Sequence, residues 1–102
     1  MSDLDNILQS NKYVLVDFYA DWCGPCGIMK PIVHELESEY KGRVFVKCIN
    51  VDDDELSAAK YGIRSIPTLI IFKSEKIYKQ FIGVKQKIIL QTSLNDMLAS
   101  ED

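Results

Sequence analysis

The run Tyr13-Val-Leu-Val-Asp-Phe-Tyr19 constrains this chain more than any other segment. Seven residues with a single charge have no polar face to offer water, so the strand they form must be covered on both sides. A strand of that kind needs a layer on each face of its sheet, and the flanking sequence supplies the layers. Residues 4–10 place Leu4, Ile7 and Leu8 at helical spacing, with Ser2 or Asp3 as the cap. From Pro25 onward, Ile28, Met29, Ile32, Val33, Leu36 and Tyr40 form a second helical stripe. Pro25 suits its first position, Pro31 predicts a kink and Gly42 an end. Val44–Val51 reads as a strand of mixed polarity, followed by a short helix near 53–60 that Gly62 stops. Thr68–Phe72 and Ile77–Ile82 are close enough to pair as an antiparallel hairpin. A last helix, about 85–99, presents Ile88, Ile89, Leu94, Met97 and Leu98. This order predicts an α/β fold, a mixed central sheet with helices on both faces, in one domain spanning 1–102.

Composition narrows the class. The 102 residues are 47% apolar and 26% charged, which excludes a disordered chain and a disulfide-framework mini-protein and allows one modest core. The net charge is −3 and the twelve basic residues are scattered, so no stripe suits nucleic acid. The acidic run Asp52–Glu55 reads as a helix cap and first turn. No apolar segment approaches the ~18 residues of a membrane span, and the first residues lack the pattern of a secretory leader. The expected location is the cytoplasm, where three cysteines do not include a permanent structural staple.

Cys23 and Cys26 fall where the first strand gives way to a helix. A cysteine at a helix N-terminus meets unsatisfied backbone N–H groups and the positive end of the dipole, which favour its thiolate. The thiolate is the attacking species in disulfide exchange, so Cys23 reads as nucleophile and Cys26, one turn further on, as resolver. Structural zinc is the competing reading, but it generally needs four ligands, and only Cys48 and His34 remain. His34 reads as a solvated or packed helix residue. Asp17, inside the apolar run, reads as a buried carboxylate of raised pKa or as a salt-bridged aspartate near a strand end.

Trp22-Cys-Gly-Pro-Cys26 resembles the active-site signature of the thioredoxin family. Val16-Asp-Phe18, Tyr61-Gly-Ile-Arg-Ser-Ile-Pro-Thr68 and Phe81-Ile-Gly83 follow that family's order and spacing, and the similarity runs from about residue 2 to residue 98. The resemblance implies the thioredoxin fold and a general protein-disulfide reductase. It places a cis Ile66–Pro67 bond opposite the dithiol. It makes Trp22, Gly24, Pro25, Ile66, Pro67, Ile82, Gly83 and Val84 a shallow docking surface, with Tyr61, Ile63 and Arg64 either on its rim or in ordinary core and surface positions. Asp17 would lie beneath Cys26 and relay its proton. The implied protein is a monomer with no bound cofactor or metal. Its electrons come from NADPH through thioredoxin reductase, and its substrates are disulfide-containing proteins, not nucleic acids or membranes.

The sequence also departs from the family pattern. Gly27 stands where a basic residue is frequent. Cys48 stands where bacterial members commonly carry a lysine directed at the buried acid, which leaves Asp17 without an expected cationic neighbour. Tyr19 replaces a usual tryptophan. The family's initial strand has no counterpart, predicting four strands with Val44–Val51 as an exposed edge, either blunted by Lys47 or Arg43 or covered by a partner. Glu75 replaces a frequent turn glycine, predicting a hairpin turn other than type I′. A disulfide oxidase or isomerase, a binding scaffold and a zinc module are the alternative functions.

Overall fold

In a computed structural model, which describes residues 2–100, the elements follow the expected order. They are α1 (Asp3–Ser10), β1 (Tyr13–Tyr19), α2 (Gly24–Glu39), β2 (Phe45–Asn50), α3 (Glu55–Lys60), β3 (Thr68–Lys73), β4 (Lys76–Ile82) and α4 (Lys87–Ala99). Among the described residues the sheet has four strands in the order β2-β1-β3-β4, with β1 and β2 parallel and the other pairs antiparallel.

Period-two alternation in the central strands divides the core in two. Val14, Val16 and Phe18 of β1 join Ile70 and Phe72 of β3 against Leu4 and Leu8 of α1. Leu15, Leu69 and Ile71 face the other way, onto Met29, Val33 and Leu36 of α2 and Leu90, Leu94 and Met97 of α4. Asp17 shares the face of Leu15, so the alternation that builds the core also sends its carboxylate toward α2.

Helix ends follow local chemistry. The Ser2 side chain accepts from the Asp5 backbone N–H while Asp5 returns the bond, a capping box at the start of α1. Asp54 caps α3 through the Ser57 N–H at 3.0 Å. The α2 helix runs through Pro31 and ends at Glu39, before Gly42. In α4 the apolar face centres on Leu90, Leu94 and Met97, whereas Ile88 and Ile89 are exposed, a correction to the expected stripe. With 88–90 all apolar, only packing against α2 chooses among them.

The hairpin also differs from expectation. Lys73 pairs with Lys76, and the two residues between them, Ser74 and Glu75, have φ of 50° and 69°. Positive φ at both central positions is the mark of a type I′ turn, adopted here without glycine because strand pairing fixes the loop at two residues. A left-handed glutamate is costly. Glu75→Gly is therefore expected to stabilise the protein by about 1 kcal/mol, read as a several-degree rise in thermal midpoint.

Candidate active site

Cys23 is the N-cap of α2, and its Sγ accepts the backbone N–H of Cys26 at 3.2 Å. The sulfur thus takes the place a serine or aspartate oxygen has in an ordinary cap, meeting the donors that favour negative charge there. Gly24 and Pro25 turn the chain between the two cysteines, whose Cα atoms lie 5.3 Å apart and whose sulfurs are joined as a disulfide. Ala20, Tyr19, Val51 and Ile66 pack around the pair. Both cysteines are more than nine-tenths buried.

One flank of the disulfide is apolar and open. The Ile66–Pro67 bond is cis, and the Ile66 carbonyl oxygen lies 3.7 Å from Cys23 Sγ. Gly83 adopts φ of 87°, a conformation that favours glycine, and its N–H donates to the Pro67 carbonyl at 2.8 Å. The loop after β4 is thereby held beside the proline. Trp22, next to Cys23, and Ile82 and Val84, on either side of Gly83, are exposed large apolar side chains; Gly24 and Pro25 are exposed and Ile66 is half-buried. Trp22 is 71% exposed yet anchored, because its Nε1–H donates to Asp52 Oδ2 at 2.8 Å. In the sequence Asp52 reads as part of a helix cap; nothing local distinguishes it from Asp54, which does cap. Tyr61 and Ile63 pack into the α1-side core, away from this rim, and Arg64 is exposed.

The other flank carries the ionisable groups. A cavity of about 330 Å³ is lined by Asp17, Cys23, Cys26, Gly27, Lys30, His34 and Cys48, together with Tyr19, Ala20 and Asp21. Asp17 is 2% exposed, and its Oδ1 has no hydrogen-bond partner. Burial raises its pKa from 3.8 to about 6, opposed by the charges of His34 and Lys30. The acid therefore does have basic neighbours, the lysine Lys30 and the histidine His34, contrary to the expectation drawn from Cys48. They come from α2 instead of β2: Cys26, Lys30 and His34 follow one another at four-residue spacing, a stripe the sequence already contains. Cys48 pairs with Asp17 across the sheet, and burial, reinforced by that carboxylate, pushes its thiol up to about 11. It remains a protonated thiol at neutral pH, a half-buried small side chain at the cavity wall. A Cβ built on Gly27 would meet nothing within 4 Å, so the missing side chain there opens the cavity and relieves no clash. Among the described residues, no group of three or more His, Cys, Asp or Glu side chains could hold a metal ion, and no helix is long and apolar enough to cross a membrane.

Comparison with known proteins agrees with this geometry. The Thioredoxin family model matches residues 2–96. A thioredoxin from Pyropia yezoensis is 45% identical over 93 residues, covering 91% of this chain and 87% of that protein. Thioredoxin 2 of Chlorobaculum tepidum is 42% identical over 90 residues, covering 88% and 83%. Among solved structures, a mutant thioredoxin from Halobacterium salinarum superposes with a TM-score of 0.89 at 31% identity, covering 100% of this chain and 88% of the other. Matched along nearly its whole length, and with its cysteine pair joined at the head of α2, this chain belongs to the thioredoxin family and is a thiol–disulfide oxidoreductase that reduces protein disulfides.

Proposed function

We propose that Cys23 is the attacking sulfur, Cys26 the resolving one, and Asp17 the group that takes up the resolving proton. The observation that carries this order is the cap: Cys23 Sγ receives the Cys26 N–H at the positive end of α2, and those donors stabilise a thiolate. In the forward direction the Cys23 thiolate attacks one sulfur of the target, forming a mixed disulfide and expelling the target's other thiolate. Cys26, giving its proton to Asp17 directly or through water in the cavity, then attacks Cys23 Sγ. The Cys23–Cys26 disulfide forms as the mixed disulfide breaks, the target's second sulfur leaves as a thiolate, and two electrons have passed to the target.

The target lies on the apolar flank, across Trp22, Gly24, Pro25, Ile66, Pro67, Ile82, Gly83 and Val84. Its extended chain pairs with backbone groups beside Pro67, a short form of strand addition. The family implies disulfide-containing substrates and a reductase partner. The finer reading is a monomeric cytoplasmic electron carrier, with no group bound, re-reduced from NADPH by thioredoxin reductase.

The test is a coupled assay with NADPH, a thioredoxin reductase and insulin. Catalytic NADPH consumption that depends on both this protein and insulin is expected. Absence of insulin-dependent turnover, with the protein folded and its disulfide reducible by dithiothreitol, would favour a scaffold role.

A further inference from the structure

We propose that Lys30 is a positioning residue for Asp17, fixing the charge of the acid from α2 on the flank of the disulfide that a docked protein leaves uncovered. The inference rests on the relay reading of Asp17 and adds the residue that governs it. Three observations converge. Lys30 lines the cavity that holds the unpartnered Asp17 carboxylate oxygen. Its Nζ lies 5.8 Å from the centroid of the Tyr19 ring, so a flexible side chain is seated at the cavity edge by a cation–π contact. It stands one helical turn from Cys26, and His34 one turn beyond, so helix geometry carries both basic side chains toward the strand position of Asp17.

Apart from His34, the other groups facing Asp17 do not replace this charge. Cys48 of β2 is a thiol, Leu69 of β3 is apolar, and Asp21 and Tyr19 bring no positive charge. His34, one turn further along the helix, is the other basic side chain whose charge lowers the Asp17 pKa, and its effect comes ahead of that of Lys30. The cavity shares the two cysteines with the reacting centre but none of Trp22, Pro25, Ile66, Pro67, Ile82 or Val84. A change at Lys30 should therefore act on proton transfer and leave protein docking alone.

The experiment follows the Asp17 carboxyl carbon by NMR through a pH titration of the oxidised wild type, Lys30→Gln and Lys30→Arg. Lys30 is exposed, so neither substitution disturbs the core. Lys30→Gln should raise the Asp17 midpoint by roughly 0.5 pH, less than a direct ion pair would because water screens the charge. Lys30→Arg, which keeps both the charge and the aromatic contact, should stay at the wild-type value. In steady-state reduction of a protein disulfide, the rising limb of kcat against pH should move with the midpoint while KM stays constant. An unmoved midpoint in folded Lys30→Gln, or an equal displacement in Lys30→Arg, overturns the proposal. A displaced midpoint with an undisplaced kcat limb supports the charge assignment and instead removes Asp17 from the relay.

Discussion

Asp17→Asn is expected to make the oxidised protein more stable by up to about 3 kcal/mol above pH 6, and slower at reducing disulfides. The stability follows from linkage. An aspartate whose pKa rises from 3.8 to about 6 on folding holds its proton more tightly in the native state than in the unfolded chain. Between those two values the native state binds more protons, so stability falls as pH rises through the window. Above pH 6 the full cost of the buried charge is present, about 3 kcal/mol at 1.36 kcal/mol per pH unit. Below about 3.8 both states are protonated and the cost vanishes. Asparagine has nearly the same shape and no charge to desolvate. Denaturant melts of the two oxidised proteins should therefore diverge between pH 4 and 6, with a constant difference above. Equal midpoints at pH 7.5 would mean that Asp17 is not a buried charge. The kinetic half of the expectation separates the relay from mere burial, because a group without a part in proton transfer would change the melts and leave turnover intact.

The larger effect is on the cysteines. Cys23→Ser and Cys26→Ser should each lower insulin-reduction turnover by on the order of 10³-fold or more, the scale seen when an acting nucleophile is removed. They should fail differently. Without Cys23 no mixed disulfide forms, and without Cys26 it forms and is not resolved. Cys48→Ser should retain activity, since its thiol is held protonated beside Asp17.

The dithiol and its support are legible in the sequence because each rests on a rule that is local. Cys23 and Cys26 sit at a strand-to-helix junction, and Asp17 is two residues beyond Leu15 on an alternating strand, so both positions follow from chain geometry. The proposed docking rim comes from the family resemblance: the hairpin pairs Thr68 with Ile82 and so brings Pro67 beside Gly83, where the Gly83 N–H meets the Pro67 carbonyl, but nothing in those residues taken alone marks a binding surface. What the sequence hides is decided by tertiary contacts. Asp52 looks like its neighbours Asp53 and Asp54 until Trp22 folds back onto it. Ser74 and Glu75 carry no turn glycine, yet the Lys73–Lys76 pairing places both at positive φ. His34 is exposed, in keeping with a solvated helix residue, but it and Lys30 also border the cavity of Asp17. Their four-residue spacing from Cys26 is the available signal, and it gains meaning only once α2 is known to cross above β1.

Gly27 gains a definite place from this arrangement. It lines the cavity of Asp17, so the basic residue frequent there in the family would lie near the cavity that Lys30 also lines.

The order of attack is tested most directly by trapping the intermediate. Reduced Cys26→Ser protein is mixed with a disulfide-bonded protein, quenched in acid, digested without reductant, and the cross-linked peptide identified by mass spectrometry. A single adduct through Cys23 is the expected result, with none formed by Cys23→Ser under the same conditions. An adduct through Cys48, or equal trapping by the Cys23→Ser protein, would contradict the assignment of Cys23 as the attacking sulfur.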